Sequence, residues 1–329
     1  MVEHKDIDFI TLMQYTTETI ANAFEKTKKY LGNHSSIVCS VSGGADSDIM
    51  LDMIWRLDTD KKVEYVFVDT GLEMQATKDH IKYLKEKYGI EIKTVRPKEP
   101  IPYAVRKHGL PFMNKFFSEY IYRLQKHNFT WIDEPFEILI KKYPKCKVAL
   151  LWWCNGKKGQ NNINSQPYLK EFMISTPPQF SVSNKCCDCA KKSPGKQMSQ
   201  NKDLQLLGIR KSEGGARSIQ YKSCFYTKQG KVDKHFPLFW FLDEDKRTYC
   251  QYFSVKHSRA YTEYGFTRTG CAGCPFNSKH DKEIAILEKY EPQLAKAAKK
   301  IFAESYEYDR KYREFKNDMK HKNQMKLDI

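Results

Sequence analysis

No apolar run in the 329-residue sequence approaches the roughly 18 residues that a membrane-spanning helix needs. The opening stretch MVEHKDIDFITLMQ carries acidic residues and lacks a small-residue cleavage site. It does not read as a secretory signal, so a cytoplasmic setting with no membrane partner is expected. Internal repeats and low-complexity segments are also missing, which sets aside repeat arrays and disordered linkers. Neither the Gly-Lys-Ser/Thr ending of a P-loop nor the G-x-G-x-x-G of a dinucleotide fold occurs. Beyond Cys274 the chain carries no thiol.

What is present is a soluble composition, 40% hydrophobic, long enough for one large domain or two smaller ones. The balance of 56 basic against 40 acidic residues leaves a formal charge of +16. Such a surface attracts polyanions: nucleotides, nucleic acid, phosphate or sulfate esters. The plain alternative is a coat of solvated lysines. The excess is uneven. Residues 185–235 hold twelve Lys/Arg and four Asp/Glu, whereas 281–329 hold twelve and ten and read as an ion-paired helical surface. Ten cysteines in a reducing compartment point to metal ligands or reactive thiols where they cluster. Scattered ones, such as Cys39 within IVCSV, read as small core residues.

Periodicity predicts an N-terminal helix over FITLMQYTTETIANAFEKTKKYL, stopping near Gly32. Three strands follow, SIVCSV, KVEYVFVDT and IEIKTVRP, separated by the helical patterns DSDIMLDMIWRL and EMQATKDHIKYLKEKYG. Continuous apolar strands alternating with helices through short links predict a doubly wound, mainly parallel α/β sheet. Residues 100–143 read as mostly helical and 144–184 as irregular, with WWCNGKKGQNNINSQP as loop. LQLLGIR reads as a further strand, and the chain after Gly270 as helical.

SGGADS, Ser42 to Ser47, falls at the seam of the first strand and its helix. Gly43 and Gly44 permit positive φ and close backbone approach, and the amides and dipole of the helix start favour phosphate. Ser42 and Ser47 add hydroxyls, and Asp46 suits either Mg²⁺ or the ordering of the loop. Asp69, Thr70, Gly71 and Glu73 close the second strand, where ligands of doubly wound sheets gather. Cys186, Cys187 and Cys189 precede a Cys-x-x-Cys pair, Cys271 and Cys274, with 83 residues between Cys187 and Cys271. Four thiolates from two such clusters suit a [4Fe–4S] cluster or a structural zinc.

SGGADS resembles the PP-loop of the ATP pyrophosphatase (adenine nucleotide alpha hydrolase) superfamily, and DTGLE resembles the matching segment of its phosphoadenosine phosphosulfate reductase family. The Cys-Cys pair, the interval and the Cys-x-x-Cys are similar to those of adenylylsulfate reductases. GIRKSEGGAR resembles that branch's grip on an anionic group, since guanidinium forks match phosphate and sulfate oxygens. The resemblance spans about residues 36–277 and implies a Rossmann-like fold that binds an adenine nucleotide with Mg²⁺. It implies Ser42, Gly43, Gly44, Asp46, Ser47, Asp69, Thr70, Gly71 and Glu73 at the nucleotide, and Asp46, Arg210 and Arg217 in catalysis. The cluster ligands it implies are Cys186, Cys187, Cys271 and Cys274, with Cys189 as substitute and zinc as alternative. Arg268 is a weaker anion-binding candidate.

Sulfonucleotide reductases of this family use a thiol on a C-terminal tail, which is missing here. The resemblance therefore implies adenylation at the ATP α-phosphate with pyrophosphate release, coupled to iron–sulfur-dependent sulfur transfer. The DNA phosphorothioation sulfurtransferase component, which phage and bacterial members resemble, and the iron–sulfur tRNA thiolases share that logic. A nucleic-acid acceptor and a sulfur donor or partner protein are the expected partners. Sulfonucleotide reduction with an internal or partner thiol is one alternative, and a nucleotide sensor with a structural cluster is another. Phe239, Trp240 and Phe241 are expected in the core, and Cys224 and Cys250 as packing residues. The expected organisation is a PP-loop domain over 1–280, with an irregular insertion at about 128–184, and a helical extension over 281–329.

Overall fold

The computed structural model describes residues 8–157, 162–214 and 219–325. Residues 1–98 and 191–271 form one compact unit, and residues 99–190 and 272–329 form a second.

The first unit is built on a six-stranded sheet. Strands β1 (Ile37–Val41), β2 (Val63–Val68) and β3 (Ile92–Val95) are followed in the chain by β4 (Leu204–Leu206), β5 (Phe225–Tyr226) and β6 (Asp233–His235). Their spatial order is β3-β2-β1-β4-β6-β5, and every pairing is parallel except β5 with β6. Ile37, Val38 and Cys39 are fully buried, which is why IVCSV is apolar without alternation. Cys39 is a packing residue, its thiol pushed far up by burial. Helix Ala45–Leu57 carries the chain from β1 to β2, and helix Gln75–Tyr88 from β2 to β3, ending at Gly89 with φ +59°. The doubly wound, Rossmann-like α/β fold is thus observed. The order reverses between β1 and β4: β2 and β3 extend to one side of β1, β4 and β6 to the other.

One expected helix is two. Asp8 caps helix Phe9–Tyr15, and the Thr17 hydroxyl accepts from the Ile20 amide at 3.3 Å, starting helix Glu18–Gly32 afresh. A side chain that satisfies a first-turn N–H begins a helix and does not continue one. Arg56 and Asp52 form a buried ion pair at 2.7 Å, and the hydroxyls of Tyr88 and Tyr249 each donate to Asp52 at 2.8 Å. Phe239 and Phe241 are core residues as expected. Trp240 is not: it is 46% exposed and takes the Lys211 ammonium over its ring at 4.9 Å.

The second unit is helical, with helices Ile101–His108, Lys115–Gln125, Phe136–Lys142, Lys147–Trp153 and Leu169–Ser175 before residue 190. His280–Tyr290, Pro292–Ile301 and Ala303–Met325 follow later in the chain. Residues 128–184 are therefore more regular than expected. Trp152 and Trp153 end a helix and are completely buried, so WW belongs to the core and not to the loop. The division also departs from a boundary near residue 280. Tyr308 and Tyr312, one helical turn apart, pack with Phe112, Phe117, Trp152 and Phe172 in one hydrophobic cluster, which joins 99–190 to the C-terminal helices. Arg310 and Arg313 lie on ion pairs with Glu307, Glu314, Asp309 and Asp281, the charged surface the composition implied. Among the described residues no helix is long and apolar enough to cross a membrane.

Candidate nucleotide site

The site is built at the carboxyl end of β1, next to the point where strand order reverses. In doubly wound sheets this is where ligands bind. Ser42 leaves the strand, Gly43 adopts φ +66°, and Gly44 precedes helix Ala45–Leu57 without a side-chain cap. A Cβ on Gly43 would meet Thr77 Cγ2 at 2.9 Å; one on Gly44 would meet Thr269 Oγ1 at 3.1 Å and the Tyr261 hydroxyl at 3.2 Å. Gly43 is thus dictated by backbone conformation, and Gly44 sits in a tight gap beside two hydroxyls. The serines bend the loop. Ser47 Oγ accepts from the Ser42 amide at 2.9 Å, and Ser42 Oγ accepts from the Gly44 amide at 3.4 Å. Thr77 Oγ1 is buried and has no hydrogen-bond partner among the described residues.

Asp46, in the first turn of that helix, faces two cations. Arg210 Nε lies 3.0 Å from its Oδ2, and Lys246 Nζ lies 2.5 Å from Oδ1 as an ion pair without regular hydrogen-bond angles. Burial pushes the carboxyl up, but Lys246 and Arg210 outweigh it and hold it below its usual range. Glu213 goes the other way, raised by burial and by the adjacent Asp46 carboxylate. Arg210 is itself fixed: Nη1 donates to Ser212 Oγ at 3.0 Å, to the Phe241 carbonyl at 3.4 Å and to Asp243 at 2.9 Å. Gly208, just after β4, brings its backbone against the loop; a Cβ there would lie 3.6 Å from the Asp46 carbonyl and the Ser47 amide nitrogen.

The second strand's residues sit at the end of β2, the neighbour of β1. Asp69 accepts from the Gly71 amide at 3.0 Å and pairs with Lys78 at 3.4 Å. Thr70 donates to Glu73 at 2.6 Å, and Gly71 has φ +88°. Burial raises the Glu73 carboxyl, against the opposing charge of Lys191. Thr70 Oγ1 also lies 3.7 Å from Cys271 Sγ. Arg217 lies outside the described residues.

The sequence reading missed three groups. Lys246, on helix Asp243–Phe253, neutralises Asp46. Tyr261 accepts from the Ala45 amide at 3.2 Å, and Thr269 lies 3.0 Å from the Tyr261 hydroxyl. No local pattern marks Lys246 or Tyr261, and Thr269 is marked only by its neighbour Arg268.

Cys186 and Cys187 form the short helix Lys185–Cys187 and are buried, as is Cys271; Cys274 is half-buried. Between the last pair, Gly273 has φ +63°. A Cβ there would lie 2.7 Å from both Ile284 Cδ1 and the Tyr306 hydroxyl, so the turn before Cys274 is shaped by its surroundings. A Cys-x-x-Cys turn and a Cys-Cys pair each offer two thiols, the donor chemistry that iron–sulfur clusters and zinc take. The Cys189 sulfur and ligand atoms of Glu99 and His108 all lie within 4.8 Å of one another, and burial with the Glu99 carboxylate pushes the thiol up to about 11.

The family model of the phosphoadenosine phosphosulfate reductase domain matches residues 36–277. An uncharacterised protein of Methanocaldococcus jannaschii is 30% identical over 164 residues, which are 48% of this chain and 30% of that relative, so the match spans under a third of the relative's length. Phosphoadenylyl-sulfate reductase from Candida auris, solved as a phosphate complex, aligns at TM-score 0.42 with 16% identity, over 80% of this chain and 91% of that one. An NH3-dependent NAD synthetase from Campylobacter jejuni aligns at TM-score 0.37 with 12% identity, over 92% and 97% of the two chains.

Proposed function

We infer a function from family membership: this chain belongs to the phosphoadenosine phosphosulfate reductase domain family, matched over residues 36–277. We propose that it binds ATP, with Mg²⁺, at Ser42 to Ser47 and acts at the α-phosphate, transferring AMP to an acceptor and releasing pyrophosphate. The observation that carries this reading is the loop itself. Gly43, held at φ +66° with Thr77 2.9 Å from where its Cβ would stand, and Gly44, crowded by Tyr261 and Thr269, open the start of a helix next to the point where strand order reverses. The phosphates take the positive end of the helix, displacing Ser42 Oγ and the Tyr261 hydroxyl from the Gly44 and Ala45 amides, while Arg210 and Lys246, held on Asp46, set positive charge beside the departing pyrophosphate. Asp69, Thr70, Gly71 and Glu73 line the adjacent strand end as further nucleotide contacts. Arg217, outside the described residues, is a further candidate cation for the anionic substrate on the strength of the sequence alone. Mg²⁺, when bound with ATP, supplies charge neutralisation of the same kind.

Sulfur transfer is the second half of the proposal. Cys186, Cys187, Cys271 and Cys274 are the residues that would hold a [4Fe–4S] cluster, whose chemistry is to carry or deliver sulfur. The basic excess over residues 185–235 suits a nucleic-acid acceptor, as in DNA phosphorothioation. Pyrophosphate release from ATP by the anaerobically purified full chain tests the first half, against Asp46→Ala and the isosteric Asp46→Asn. Release that depends on Asp46 is expected; unchanged turnover in both variants would sink the assignment. Sulfite release from a sulfonucleotide in place of pyrophosphate release from ATP would move the reading to a reductase.

A further inference from the structure

Beginning at Asp48, directly after the nucleotide loop in sequence, the first unit contains a chain of three side chains that the reading above does not use. His257 Nδ1 lies 2.9 Å from Asp48 Oδ2, and His257 Nε2 lies 3.4 Å from Cys250 Sγ. Asp48 is completely buried on helix Ala45–Leu57, so its carboxylate fixes the imidazole's tautomer and plane. His80 Nε2, from helix Gln75–Tyr88, lies 3.0 Å from the other oxygen of Asp48. The Tyr261 ring flanks His257 at 6.0 Å between centroids. Cys250, on helix Asp243–Phe253, is half-buried, and the His257 side chain is 22% exposed, so the sulfur end of the chain is the end nearer solvent.

An acid, an imidazole and a thiol in that order form the arrangement that activates a nucleophilic sulfur. The imidazolium donates from Nδ1 to Asp48 and faces the sulfur with Nε2–H, which stabilises a thiolate. Burial alone would lower His257, but the hydrogen bonds to Asp48 and Cys250 overcome it and hold the imidazole up at about 9. Simple charge compensation of a buried aspartate needs the His257–Asp48 contact and not a thiol on the far nitrogen.

We propose that Cys250 is a reactive thiolate, held by His257 and Asp48, whose substrates are disulfides. The Cys250 thiolate attacks one sulfur of the disulfide. A new S–S bond forms between Cys250 and that sulfur, the original S–S bond breaks, and the second half leaves as a thiolate. Two electrons move within the three sulfurs and no external oxidant or reductant takes part. The His257 proton stays on Nε2 throughout. This proposal is independent of the nucleotide reading.

The test is labelling of the full chain with a chromogenic nitrobenzoate disulfide at neutral pH, with each labelled cysteine identified by peptide mass spectrometry. A half-buried thiol of ordinary character reacts more slowly folded than unfolded. Cys250 in the native protein is expected to react roughly ten-fold faster than in the urea-unfolded chain, because His257 Nε2 stands 3.4 Å from the attacking sulfur. His257→Gln is expected to bring the rate below that of the unfolded chain. A neutral-pH ultraviolet thiolate absorbance that disappears in Cys250→Ser is a second readout and does not depend on the His257 variant folding. A native rate no greater than the unfolded rate, a rate unaffected by His257→Gln, or no thiolate absorbance assigned to Cys250 would each overturn the proposal.

Discussion

Arg210 Nε lies 3.0 Å from Asp46 Oδ2, although the two residues are 164 positions apart in sequence. That contact ties the residue after β4 to the first turn of the helix after β1. The guanidinium needs two of its edges there, one for Asp46 and one for Asp243, Ser212 and the Phe241 carbonyl. A lysine cannot serve both, because its ammonium is a point donor and not a fork. Arg210→Lys is therefore expected to reduce pyrophosphate release at least about ten-fold and to destabilise the fold by about 1–3 kcal/mol. Paired turnover and urea-unfolding measurements check it. An effect on stability with none on turnover would make Arg210 a structural clamp alone.

The two loop glycines separate backbone strain from crowding. Gly43 has φ +66°, so Gly43→Ala forces a left-handed alanine and presses on Thr77, with an expected stability loss of about 1–2 kcal/mol. Gly44 has φ −94°, which alanine accepts, but its Cβ crowds Thr269 and the Tyr261 hydroxyl, which accepts from the Ala45 amide. Gly44→Ala is expected to weaken ATP binding with little change in stability. Equilibrium ATP binding and thermal unfolding on both variants distinguish the two effects, and the opposite pattern would refute this division.

Two histidines give stability opposite pH slopes. His257 is raised from 6.5 to about 9, through Asp48 and Cys250 against the pull of burial. Its stabilisation, about 3 kcal/mol, is complete below pH 6.5 and is lost as pH rises toward 9. His235 is buried between Thr27 and the Cys224 carbonyl and is lowered by burial to about 4, so it costs stability as pH falls from 6.5 toward 4. Stability measured by urea unfolding should therefore peak near neutrality. His257→Gln should flatten the alkaline limb and leave the acidic one, and loss of both limbs in that variant would contradict the assignment.

Iron retention sorts the cysteines. Cys271→Ser and Cys187→Ser are expected to lose the visible absorbance of an iron–sulfur cluster on anaerobic purification, while Cys189→Ser retains it. Cys189 faces Glu99 and His108, a setting suited to a separate contact. A colourless, zinc-containing wild type would replace the cluster by zinc, and loss of colour in Cys189→Ser would return Cys189 to the ligand set.

Local chemistry made much of this protein legible in one dimension. A buried parallel strand must be apolar throughout, and a loop that leaves it to start a helix must have glycine where φ is positive. Residues 36–57 therefore announce both fold and loop without help from the rest of the chain. The break at Thr17 was also in the sequence, since a threonine can cap, but the apolar period runs on either side of it and hides the cap.

The tertiary structure decided what period and spacing do not encode. Lys246 and Tyr261 stand on separate short helices, and only sheet order brings them to Asp46 and Ala45. Residues 128–184 read as an irregular insertion because their aromatic residues follow no simple period. They become a helical core when Tyr308 and Tyr312, from a helix more than a hundred residues later, complete the cluster. The sequence determined which groups of the chain can bend, bind anions or ligate metals. Folding determined which of them are neighbours, because hydrophobic burial brings distant side chains together without regard to their separation along the chain.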